Sequence, residues 1–155
     1  NWIILAGYVI GGSVRGLLVG LMVTLLSMFF TDLQIHNVWV IASIVCLTAI
    51  LFSLGGFINA VYANSFDHIA IIPTFVLTPL TYLGGVFYSI TLLPEFWQNV
   101  SQINPILYMV NTFRYGILGV SDIDIGFAYG MIIGVIVILF SYSMHLLNTP
   151  KVIAQ

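Results

Sequence analysis

Apolar residues run with little interruption along most of this chain, and polar residues gather in a few short places. A helix needs roughly 20 apolar residues to cross the hydrocarbon core of a bilayer. Four stretches meet that length, at about 14–31, 38–63, 69–89 and 126–147. They are continuously apolar and lack the period-two alternation of barrel strands, so the pattern predicts helices. The expected fold class is all-α, a polytopic transmembrane helix bundle. An external re-entrant or amphipathic helical pair is expected before the last span.

The first apolar run starts earlier than residue 14. As one helix, residues 1–30 would reach about 45 Å at 1.5 Å per residue, with Arg15 in the middle. A charge is costly at the bilayer centre and cheap at an interface to which it can snorkel. This predicts Arg15 at the cytoplasmic surface, residues 1–13 as an interfacial or re-entrant helix, and a span that starts just after Ser13. With Arg15 inside, four spans place residues 64–68 and Lys151 on the same side, and Arg114 outside.

The stretch 92–120 is too polar for a span and too apolar for a free loop. Phe96, Val100, Ile103, Leu107, Val110 and Ile117 recur mostly at three- and four-residue spacing, which predicts an amphipathic helix. Pro105 splits it into two short helices that meet at Asn104–Pro105. Within the spans, Gly12, Gly16 and Gly20 form one four-residue ladder, and Gly126, Gly130 and Gly134 form another. Such stripes let a second helix approach closely, either in the same chain or in a second copy. The third stretch carries Pro73 and Pro79, then Gly84–Gly85. Each proline removes a helical hydrogen bond, so a kink is expected there, either static or a hinge, with Thr74, Thr78 and Thr81 placed to help satisfy freed carbonyls.

Composition agrees with the pattern. Charged residues make up 5% of the chain and hydrophobic residues 61%, against about 25% charged in a soluble domain. Eight charged side chains do not coat a globule of this size in water, so lipid must surround most of it. No basic patch exists for nucleic acid. The single cysteine, Cys46, excludes an internal disulfide. His36, His68 and His145 are not set at metal-ligand spacing, and no hydrolase, zinc-protease or phosphate-loop motif occurs. No catalytic, cofactor or metal site is therefore expected. The spans carry no Asp, Glu or Lys of the kind that binds a coupling ion in secondary carriers. An ion-coupled carrier or channel without an ATPase remains the alternative to ATP-driven transport.

The run Pro79-Leu-Thr-Tyr-Leu-Gly-Gly-Val-Phe-Tyr-Ser, then Leu93-Pro94-Glu95-Phe96-Trp97, then Asn104-Pro105-Ile106-Leu107-Tyr108 and Arg114, resembles the ABC type-2 permease family. In that family a span ends in a Pro- and Gly-rich turn, and a Leu-Pro with a nearby Trp opens a re-entrant helical pair. The resemblance implies the third to sixth of six spans, of a permease in the small bacterial drug and polysaccharide export branch. It implies a homodimer of permeases in the inner membrane, with ATP and Mg bound by a separate ATPase subunit. Pro79, Gly84, Gly85, Pro94, Glu95, Trp97, Asn104, Pro105 and Arg114 carry the motif. Arg114 is expected either as a gate or substrate contact, or as a structural partner of Glu95 or of a helix carbonyl end. Glu95 would sit in a first helical turn, where a carboxylate is favoured.

Overall fold

The computed structural model describes residues 1–149, and the expectation for Lys151 lies outside them. Helix α1 (Trp2–Ser27) is followed by α2 (Val38–Tyr62), α3 (Phe66–Ile72), a π-helical turn (Pro73–Leu77) and α4 (Thr78–Leu83). A short 3₁₀ turn (Ile90–Leu92) leads to α5 (Glu95–Ser101), α6 (Pro105–Leu118) and α7 (Ile125–Asn148). Four helical stretches are long and apolar enough to cross a membrane: Trp2–Ser27, Val38–Tyr62, Phe66–Leu83 and Ile125–Asn148. No strand occurs among the described residues.

The first of these departs from expectation. α1 is a single unbroken helix, with no separate interfacial element ending at Ser13. No proline interrupts it, and two of its five glycines, each about 1 kcal/mol poorer than alanine in a helix, lie where α2 comes close, Gly12 and Gly16. The Asn1 amide donates to the Leu147 carbonyl at 3.1 Å and to the Asn148 side chain at 2.7 Å. The start of α1 is thereby fixed beside the end of α7. Arg15 then lies half-way along α1, about 20 Å from either end at 1.5 Å per residue.

α2 runs antiparallel to α1. Asn37 caps its start by accepting from the backbone N–H groups of Trp39 and Val40, which satisfies two donors that a helix start leaves open. A Cβ on Gly12 would fall 2.5 Å from Ser53 Oγ, and one on Gly16 would meet the Ala49 methyl at 3.7 Å. The first ladder therefore forms the α1–α2 seam at two of its three positions, while Gly20 has open space. The second ladder touches no other helix among the described residues. Gly130 and Gly134 have nothing within 4 Å, and Gly126 meets only the neighbouring Asp124 carboxylate.

The core sits where α2, α6 and α7 meet, with Ile44, Leu51, Tyr108, Met109, Ala128 and Ile132 at its centre. A second cluster, Leu5, Leu54, Phe57 and Leu147, joins α1, α2 and α7 at the opposite end. The hydroxyls of Tyr62 and Tyr142 share a hydrogen bond between α2 and α7. The kinked stretch ends at Leu83, six residues before the expected end at 89. Gly85 there has φ of +72°, a backbone conformation that favours glycine, and both glycines of the turn are buried.

Candidate functional site

Two places hold the chemistry-bearing side chains: a polar clasp around α6, and a groove between α1 and α2.

The clasp begins with the prolines. Pro73 has no N–H, so the carbonyl of Ile69 loses its helical partner. Asn59 of α2 donates to that carbonyl at 3.0 Å. The helix then widens into the π turn, with Thr78 Oγ1 donating to the Pro73 carbonyl at 3.3 Å and Thr81 Oγ1 to the Leu77 carbonyl at 2.8 Å. Thr74 makes no such bond among the described residues. A one-residue bulge of this kind lets a helix absorb prolines and continue.

At the end of α4, the Leu80 carbonyl is taken by the Asn104 amide at 2.6 Å. The other face of the same amide, Oδ1, accepts from the Ile106 N–H at 3.0 Å and caps α6, with Pro105 in its first turn. One buried asparagine thus closes one helix and starts the next. The expected junction at Asn104–Pro105 is where the two short helices meet. A Cβ on Gly84 would fall 2.7 Å from Ile106 Cγ2, so this contact needs glycine.

α6 is not a surface helix. Ile106, Leu107, Tyr108, Met109, Asn111, Thr112 and Gly116 are all buried. Of the six residues expected to form one apolar face, Leu107 is buried, Val110 and Ile117 are partly buried, and Phe96, Val100 and Ile103 on or just after α5 are exposed. Pro105 resets the helical phase, so the two halves of that pattern do not share a face. Burial raises the Tyr108 phenol above its ordinary pKa. It therefore stays protonated and donates to the Gln102 carbonyl at 2.6 Å.

Arg114 is bonded within the chain. One guanidinium nitrogen donates to the Gly85 carbonyl at 2.6 Å, and the other pairs with Asp122 at 3.4 Å. The same Asp122 oxygen accepts from Ser89 Oγ at 2.7 Å, and the Asp122 N–H donates to Asn111 Oδ1 at 3.0 Å. Asn111 donates in turn to the Leu107 carbonyl at 2.9 Å. The expected pairing with Glu95 does not form. Arg114 lies about 14 Å along α6 from Pro105 at 1.5 Å per residue, whereas Glu95 sits in the first turn of α5 behind Pro94. Trp97 packs edge-on against Phe96 and is partly exposed. Asp122, Asn111 and Ser89 were not singled out from sequence. The spacing of Asn104, Asn111 and Arg114, seven and then three residues, was the available sign of a polar stripe on one helix face.

Past the clasp, the connection before α2 docks on the end of α6. His36 and Asn37 donate to the Ile117 and Gly116 carbonyls at 3.1 and 2.8 Å. The His36 ring lies edge-on to Tyr115.

The second place is an open groove of about 840 Å³ between α1 and α2. Arg15, Tyr8, Thr48 and Ser53 line it together with several glycines, and Val19, Val45 and Phe52 complete its walls. The only ion pair among the described residues is Arg114–Asp122, so Arg15 is not held by any of them. No group of three or more potential metal ligands occurs among the described residues.

A family model for the ABC-2 type transporter matches residues 1–118. The chain is 54% identical over 149 residues to the inner membrane transport permease YadH of Escherichia coli (strain K12), covering 96% of this chain and 58% of that protein. It is 27% identical over 105 residues to nodulation protein J of Rhizobium meliloti (strain 1021), covering 68% of this chain and 40% of that one. The chain thus spans little more than half the length of the nearer of these relatives. No solved structure matches it.

Proposed function

Because the chain belongs to the ABC-2 type transporter family, we propose that it is the membrane-spanning permease part of an ATP-driven exporter in the inner membrane. Its cargo is a hydrophobic or amphipathic molecule such as a drug, lipid or glycan. ATP and Mg are bound and hydrolysed by a separate ATPase subunit, and two permease copies form the path. The observation that carries this reading is the 54% identity, over 96% of the chain, to a protein named a transport permease.

The architecture supports it. Four long apolar stretches supply the spans. The clasp joins the kinked stretch, α6 and the loop before α7 into one unit, which suits an element that must move as a body when force arrives from elsewhere. The open glycine face of α7 leaves room for a second copy to pack closely.

The test is purification of the full-length, tagged protein in mild detergent. An ATPase subunit at one-to-one ratio, with vanadate-sensitive hydrolysis, is the expected result. A chain that purifies alone and transports cargo on an ion gradient overturns the proposal in favour of a secondary carrier.

A further inference from the structure

We propose that the α1–α2 groove binds the anionic headgroup of an amphipathic molecule, with Arg15 as its counter-charge. The identification of that molecule as cargo rests on the exporter reading above; the binding site itself does not.

Arg15 carries a permanent charge, since a guanidinium does not lose its proton in a protein. It sits half-way along α1, at the level of Ala49 and Ser53 near the middle of α2, as the Gly12 and Gly16 contacts show. A charge at that depth needs water or an anion beside it. No carboxylate of the chain supplies one. Asp122 is held by Arg114 and Ser89. Asp124 caps α7 by accepting from the Phe127 N–H. Asp67 and Glu95 lie in the first turns of α3 and α5, and Asp32 is in the connection after α1. All five lie at helix ends or in connections between helices, whereas Arg15 is about 20 Å from either end of its own helix.

The groove around Arg15 is built to receive something polar. Its volume, about 840 Å³, is in the range of small-molecule sites. Gly11 leaves the α1 backbone open on the same wall. The hydroxyls of Tyr8, Thr48 and Ser53 line the same space. Ser53 is only 8% exposed and forms part of that wall. Val19, Val45 and Phe52 form apolar walls suited to the attached chain. A carboxylate, sulfate or phosphate headgroup meets these requirements, and its contact with Arg15 is a charge-assisted one.

The test uses full-length protein in phosphatidylcholine nanodiscs and a photoreactive dodecyl phosphate, with its neutral dodecyl glycol analogue as reference. The phosphate probe is expected to label α1 and α2 peptides around the groove and to bind about tenfold more tightly than the neutral one. Arg15→Gln is expected to bring the two within about twofold, with Arg15→Lys in between. Equal binding of both probes to the wild type overturns the proposal, as does a preference that survives Arg15→Gln. An unlabelled groove, with Arg15→Gln lowering the melting temperature, also overturns it and assigns Arg15 to a carboxylate elsewhere in the full-length protein. If Arg15→Gln does not fold, the two-probe comparison on wild type and Arg15→Lys decides. None of these readouts needs the ATPase, so failure of the exporter reading is seen separately in the co-purification.

Discussion

Around α6, Asn104, Asn111, Arg114 and Asp122 each find partners within the chain, and the glycines beside them are pressed against side chains from other elements. Along α1, Arg15 has no ion-pair partner among the described residues, and Leu5 is the only buried residue in 26. The two regions differ in what an internal structure demands. Buried polar groups in a low-dielectric surround must be paired or they destabilise the fold. The clasp meets that demand at these four residues, although the Ser101 hydroxyl beside Asn104 is buried without a partner among the described residues. In the groove, Arg15 has no ion pair among the described residues, which leaves it available to something outside them.

Substitutions sharpen this contrast, and the largest effect is expected at Gly116. A side chain there meets Ile41 Cγ1 at 2.6 Å and the Ile41 backbone nitrogen at 3.3 Å. Gly116→Val is therefore expected to destabilise by about 3 kcal/mol through overpacking, read as a fall in the midpoint of thermal unfolding in detergent. Asn104→Ala comes next. It removes the α6 cap and orphans the Leu80 carbonyl, for about 2.5 kcal/mol in sum. Asn104→Asp keeps the acceptor and loses the donor, so it should recover about 1 kcal/mol of that. Recovery of the full stability would show that the Leu80 contact is idle.

Arg114→Gln follows, at about 1.5 kcal/mol for a charge-assisted bond from a partly exposed guanidinium. Asp122→Asn should cost a similar amount, and the double variant less than the sum, because the two side chains form one network. Additive effects would break the network account. The smallest effects belong to the open glycines. Gly20→Ala and Gly130→Ala are expected to be neutral or to stabilise by up to about 1 kcal/mol through helix propensity. Gly12→Ala should destabilise, because its methyl would meet Ser53. If Gly130→Ala is instead the damaging one in full-length protein, α7 is covered by a close neighbour there.

The long-range features of the fold were legible in the sequence because they follow from composition and length. Four apolar runs mapped to four spanning stretches, and Asn104–Pro105 marked the helix junction. Two things were not legible. The unbroken α1 was hidden because the cost of Arg15 at mid-height was weighed against lipid alone, without a groove that offers it another surround. The burial of α6 was hidden because its buried side includes Asn111 and Thr112, which hydropathy counts as outward. Thr112 returns its hydroxyl to the Tyr108 carbonyl at 2.7 Å and so is satisfied inside. The partner of Arg114 was missed because Asp122 is close to it in sequence only across a turn at Gly119, where φ is +72°.

The contrast between the paired Arg114 of the clasp and the unpaired Arg15 of the groove is tested most directly by thiol accessibility in full-length protein lacking Cys46. Gly11 and Gly130 both have nothing within 4 Å, so each tolerates a cysteine, but only Gly11 lines the groove. Thiols react as thiolates, which form in water and not in lipid, so a charged, membrane-impermeant thiosulfonate should modify Gly11→Cys at least about tenfold faster than Gly130→Cys. Equal rates, or no reaction at Gly11→Cys, would contradict an aqueous groove at the depth of Arg15 and with it the division of the molecule drawn here.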